Sequence, residues 1–94
     1  MTMEKASEVL RYFLELFVSQ PDSIEIQEII DERGTLLMMK VANEDIGKVI
    51  GKQGRLLFSL RQIMRMWSSK YNQKVFLKLL DQDESFPENN KEAE

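Results

Sequence analysis

Between Asp45 and Arg55 the chain reads Asp-Ile-Gly-Lys-Val-Ile-Gly-Lys-Gln-Gly-Arg, gathering three of its four glycines, at 47, 51 and 54, with three cations, Lys48, Lys52 and Arg55. Glycine serves where the backbone takes a positive φ or lies close to something else. The stretch Leu56 to Tyr71 follows without Gly or Pro and reads as a helix. Gly51-Lys52-Gln53-Gly54 is therefore a tight basic loop opening onto a helix N-terminus. Unpaired backbone N–H groups carry partial positive charge there, which suits the holding of an anion, phosphate above all.

Two common phosphate motifs fail on spacing. A nucleotide-binding P-loop needs four residues between its glycines and Ser or Thr after the lysine. Here three residues separate Gly47 from Gly51, and Gln53 follows Lys52. The dinucleotide fingerprint fails too, because its glycine spacing and its βαβ setting are both missing. Among 94 residues there is no cysteine and no histidine. That removes disulfides, thiolate nucleophiles, the usual general base and the commonest zinc ligand. No catalytic residue, metal or cofactor is expected.

The formal net charge of −3 hides a division along the chain. Residues 1–39 carry a balance of −5, residues 40–78 of +7, and residues 79–94 of −5. A basic middle between acidic ends is a footprint for a polyanion. Neither a signal-peptide layout nor an apolar run of membrane-spanning length is present, so a soluble cytoplasmic protein without membrane contact is the expectation.

The elements that must position the loop follow from periodicity. Val9, Leu10, Phe13, Leu16 and Phe17 give an amphipathic helix over 4–19, ended by Gln20-Pro21. Ile24, Ile26, Ile29 and Ile30 mark a strand, with a bulge or strand end expected where alternation slips at Glu28-Ile29. Asp31-Glu32-Arg33-Gly34 turns the chain into a second strand over 35–41, making a hairpin. Leu37, Met39 and Val41 share one face of it, and Leu36, Met38 and Lys40 the other. Asn43-Glu44-Asp45 carries N-cap chemistry for a short helical turn. On the long helix, Leu56, Leu60, Ile63, Met64 and Trp67 form the core face. Val75 to Leu79 is the last strand, and Lys40, Lys74 and Lys78 read as solvated strand decoration. The predicted fold is α+β, in the order α-β-β-α-α-β, a three-stranded sheet with helices packed on one face. It occupies residues 1–80, and 81–94 form an acidic tail of disordered composition.

The run Ile46-Gly47-Lys48-Val49-Ile50-Gly51-Lys52-Gln53-Gly54-Arg55, with Leu60 and Ile63 beyond it, resembles the KH domain signature. The element order is similar to that of type II, prokaryotic KH domains, and the size to that of small bacterial single-KH proteins. The resemblance covers roughly residues 4–80. It implies cytoplasmic binding of single-stranded RNA without catalysis, with the loop clamping about four nucleotides of backbone. On that pattern the RNA-binding residues are Lys48, Gly51, Lys52, Gln53, Gly54 and Arg55, with Ile46 and Ile50 in an apolar floor. It also implies self-association, pairing with a larger KH-containing protein, RNA chaperone-like regulation, and links to cell wall and cell shape.

Two other readings stand beside this one. The loop is a plain helix–turn–helix connector with solvated cations, or the domain is chiefly a protein-interaction module with RNA contact secondary. Phe58 and Met66 bear on the latter, because both fall off the core face of the long helix. Phe58 either tucks beneath a neighbouring loop or joins an exposed patch for a protein partner.

Overall fold

The computed structural model describes residues 5–81 and 83–87. The first helix, α1 (Ala6–Phe17), buries Ala6, Val9, Leu10 and Leu14, with Phe13 packed beside them. Leu16 and Phe17, expected on this stripe, are exposed. Leu16 stands two residues past Leu14, more than half a helical turn round, and so faces solvent. Phe17 is the last residue of the helix.

Strands β1 (Glu25–Asp31) and β2 (Gly34–Lys40) pair antiparallel in continuous register from Glu25↔Lys40 to Asp31↔Gly34. The bulge expected at Glu28-Ile29 is therefore not formed. The alternation slips because both faces of the strand end carry isoleucine: Ile29 sits across from Leu36, and Ile30 across from Thr35 on the other face, 71% exposed. The turn between the strands is tied by the Arg33 amide, which donates to the Asp31 carboxylate at 2.8 Å.

After β2 come α2 (Asn43–Ile50), a single 3-10 turn (Lys52–Gly54), α3 (Arg55–Ser69) and β3 (Val75–Leu79). β3 lies parallel to β2, Thr35 opposite Val75, giving the sheet order β1-β2-β3. A parallel pair needs a long crossover, and the two helices supply it. This is the predicted α+β fold, with elements in the predicted order.

Leu37 and Met39 of β2, Val75 and Leu77 of β3, Leu10 and Leu14 of α1, and Leu60 and Met64 of α3 form one buried cluster between sheet and helices. Each such side chain contributes about 1.5–3 kcal/mol by leaving water. Ile63, expected in this core, is 39% exposed. It precedes Met64 by one residue, and the inward line of α3 runs Leu60, Met64, Ser68 at four-residue spacing.

The face of the sheet away from the helices is also partly apolar. By register Ile29, Leu36 and Phe76 form one row across it, and Gln27, Met38 and Lys78 the next. Met38, read as pointing away from the core, does lie on this face, yet it is 4% exposed. The chain beyond β3 returns towards the same row, since Glu84 approaches Lys78 at 3.8 Å and accepts from the Asp81 amide at 2.7 Å. Of the expected disordered tail, Gln82 and residues 88–94 lie outside the described residues.

Candidate nucleic-acid interface

The short helix α2 carries the basic loop, and its sequence start differs from expectation. Its N-cap position is Ala42, with no side-chain cap, so Asn43, Glu44 and Asp45 form the first turn instead. Asp45 is fully buried and looks outward from α2 to the α1–β1 corner. Its carboxylate accepts from the Ser19 amide at 2.8 Å, the Ser19 hydroxyl at 2.8 Å and the Gln20 amide at 3.0 Å. The Lys48 ammonium lies 3.6 Å away, one turn along the helix. Burial pushes the Asp45 carboxyl up, but the donations from Ser19 and Gln20 and the Lys48 charge outweigh it, leaving the group below the ordinary aspartate value. Glu44 adds an exposed contact, accepting from the Gln20 side-chain amide at 3.0 Å.

At its other end α2 breaks at Gly51, with φ 80° and ψ 174°. That region belongs almost wholly to glycine. There is also no room for a side chain, because a Cβ on Gly51 would stand 2.7 Å from the Leu56 Cβ and 2.8 Å from the Leu56 nitrogen. Positive φ recurs at Gln53 (58°) and Gly54 (77°). Three left-handed residues within four turn the chain sharply enough for α3 to start at Arg55.

The hydrogen bonding of the loop revises how it would hold an anion. The Gly51 amide donates to Gly47 carbonyl at 2.9 Å, and the Gly54 amide to Gly51 carbonyl at 3.1 Å. The Arg55 amide is taken by Lys52 carbonyl. The glycines therefore shape the loop, while the amides of Lys52 and Gln53 are the ones left without a backbone partner among the described residues. The side chains of Lys48, Lys52, Gln53 and Arg55 are all exposed. Ile50 is 37% exposed beside the loop, whereas Ile46 is half-buried and packs against the core with Val49 behind it.

Phe58 and Met66 are 62% and 74% exposed. Phe58 therefore does not tuck beneath a neighbouring loop. Both residues stand on a side of α3 that nothing described in the structure covers, spaced by two helical turns.

Three candidate residues were missed in the sequence: Arg61, Arg65 and Ser69. Arg61 donates to the Leu77 carbonyl of β3 at 3.4 Å, reaching from α3 to the strand. Arg65 and Ser69, one and two turns further on, line a groove of about 560 Å³ with Lys74, Val75 and Phe76. Basic character thus continues from the loop along the space between α3 and β3. The available signal was the four-residue spacing of Arg61 and Arg65, one position off the core line of Leu60 and Met64.

Residues 7–79 match the family described as KhpA/KhpB, KH domain. The chain belongs to that family. It is 33% identical over 73 residues to the RNA-binding protein KhpA of Clostridium perfringens, covering 78% of this chain and 97% of that protein. Against the KhpA of Clostridium acetobutylicum the identity is 34%, over the same shares of each chain. Against that of Borreliella burgdorferi it is 30% over 74 residues, 79% of this chain and 90% of the relative. No solved structure gives a significant match. The family match ends at Leu79, the last residue of β3, so the acidic segment beyond it falls outside the matched region.

Proposed function

We propose that this KhpA/KhpB-family domain binds single-stranded RNA, without catalysis, by seating a phosphate on the Gly51–Gly54 loop. The observation that carries the reading is the pair of amides at Lys52 and Gln53, without a backbone partner among the described residues, in a segment whose cations Lys48, Lys52 and Arg55 are exposed. From the loop the strand of RNA runs into the groove between α3 and β3, past Ile50, Arg61 and Arg65. The name of the Clostridium relatives, RNA-binding protein, supports the same reading. Residues 1–80 act as the binding domain and 81–94 as an acidic tail. The biological role is that of an RNA chaperone or post-transcriptional regulator in the cytoplasm. No helix among the described residues is long and apolar enough to cross a membrane.

The exposure of Phe58 and Met66 favours a second function beside the first. They form a protein interface on α3, taken by a KhpB-type KH protein or by a second copy of the chain. Phe58→Asp tests it: loss of the complex or dimer from a folded protein is expected, and unchanged assembly rejects the interface.

Changing Lys52 and Gln53 together to Asp tests the RNA reading. The double variant is expected to fold and to lose binding to a labelled single-stranded oligonucleotide in fluorescence anisotropy. With three cations engaged, wild-type affinity should fall with salt at a log–log slope of roughly −2. Sequence preference should be modest, since contacts to backbone position a strand without specifying it. A folded double variant with unchanged affinity and slope would reduce the loop to a connector.

A further inference from the structure

Phe76 is the one aromatic residue of the sheet, and it is 47% exposed on the face away from the helices. It lines the groove shared with Arg65, Ser69 and Lys74, and also a separate hollow on the open sheet face with Ile29 and Leu36. Phe76 therefore stands at the corner where the space between α3 and β3 passes round the edge strand onto the open sheet. Strand alternation sends Phe76 and Lys78 to the same side, and Lys74, just before β3, lines the groove with Phe76. The two lysines are four residues apart, about 13 Å along an extended strand. That leaves a base width over the ring with a cation on either side.

From these features we infer a second nucleic-acid contact. A base of the single-stranded RNA that leaves the α3–β3 groove stacks on Phe76, with the flanking phosphates at Lys74 and Lys78. The inference rests on the RNA reading above and extends it from the groove, whose rim Phe76 forms, onto the open face of the sheet. Ile29 and Leu36 lie in register beside Phe76 and support the ring from the strand side. Charge selects a polyanion over an apolar protein segment at this edge. Lys78 in β3 and Lys74 just before it supply the cations of this edge, while Asp31, which lines the hollow with Phe76, is paired with Arg33 at 3.3 Å, and Glu25 lies at the other end of β1. Lys78 already attracts an anion there, the Glu84 carboxylate at 3.8 Å. Both partners of that pair are largely in water, where such contacts are worth little, so a phosphate can replace the carboxylate. Stacking on an aromatic face tolerates any base, consistent with a module that reads little sequence.

The test uses the full chain and a decauridylate, followed by amide and aromatic-ring chemical shifts and by anisotropy. Shifts are expected both at residues 51–55 and at the Phe76 ring with Lys74 to Lys78. Phe76→Leu, which keeps the apolar surface but removes the π face, should weaken decamer binding by about 5- to 150-fold, the range for losing one stacked base. Phe76→Tyr should restore it. Each variant is checked by thermal melting, and Phe76→Leu is expected to melt as wild type does. Shifts at 51–55 alone, or full affinity in Phe76→Leu, would overturn the second contact and leave the RNA reading standing. No shift at either place would reject the RNA reading itself. If Phe76→Leu changes the sedimentation of the protein and not its RNA affinity, the sheet face is a protein interface and the inference fails.

Discussion

The two ends of α2, a helix of eight residues, are made in opposite ways. The N-terminal end is anchored: Asp45 is buried and collects three donors from Ser19 and Gln20, with Lys48 alongside. The C-terminal end is open, its side chains in solvent and its backbone in conformations that only glycine and a few polar residues adopt. A two-turn helix has little stability of its own. Fixing one end through buried polar contacts lets the other end remain exposed without fraying. The difference teaches that the basic loop is held in place from behind, by a residue buried away from solvent.

The sharpest way to break the contrast is Gly51→Ala. The added Cβ meets Leu56 at 2.7 Å, and φ stays at +80°. Strain and overpacking together should cost about 3 kcal/mol, read by chemical denaturation, and should disorder the start of α3. Asp45→Asn attacks the anchored end and should lower the melting temperature by less. Its pH dependence gives the sign. The folded-state pKa of Asp45 is depressed below 3.8, so its contribution is present in full above about pH 4 and lost as pH falls through the lower folded value. The gap in stability between wild type and Asp45→Asn should therefore be constant near neutrality and shrink in acid. A gap that stays constant down to pH 2 would mean that the carboxylate charge does no anchoring. Asp31, also depressed through the Arg33 amide and side chain, titrates in both proteins and cancels from the comparison.

Gly47→Ala probes the middle of α2, where a Cβ would meet nothing within 4 Å. It should stabilise by about 0.5–1 kcal/mol, the ordinary gain of alanine over glycine inside a helix. The smallest effect on stability is expected from the Lys52→Asp, Gln53→Asp pair, within about 0.5 kcal/mol of wild type. Gln53→Asp suits the left-handed backbone at that position, since Asp enters the region more often than most side chains. Melting curves of the two proteins should overlay while RNA binding differs.

Glycine spacing, charge and periodicity made the open end legible in the sequence, along with the order of the elements. The anchored end was not legible, because Asp45 finds its partners about 25 residues away at Ser19 and Gln20. An acidic residue in the first turn of a helix looks like a local cap whether or not it is one. The same limit explains the misread edges of the core. Periodicity gives the direction of a stripe, while the reach of the opposing layer decides whether Leu16, Phe17 and Ile63 are covered. The amides of Lys52 and Gln53 were missed for a different reason. Which N–H groups stay free depends on the φ and ψ of each loop residue, and the pattern Gly-Lys-Gln-Gly alone does not give them.

The parallel pairing of β2 with β3 carries a consequence for the birth of the protein. The β1–β2 hairpin joins positions at most fifteen residues apart, whereas Thr35 and Val75 are forty apart. Local pairings form early and distant ones late, because the intervening chain must first be closed. On a ribosome, the basic loop is complete about twenty residues before Val75 is made, and the crossover helices have only two of the three strands to rest on. The grip on RNA is thus expected of the finished domain alone. Nascent chains stalled at increasing lengths should acquire it in one step, when β3 has cleared the exit tunnel.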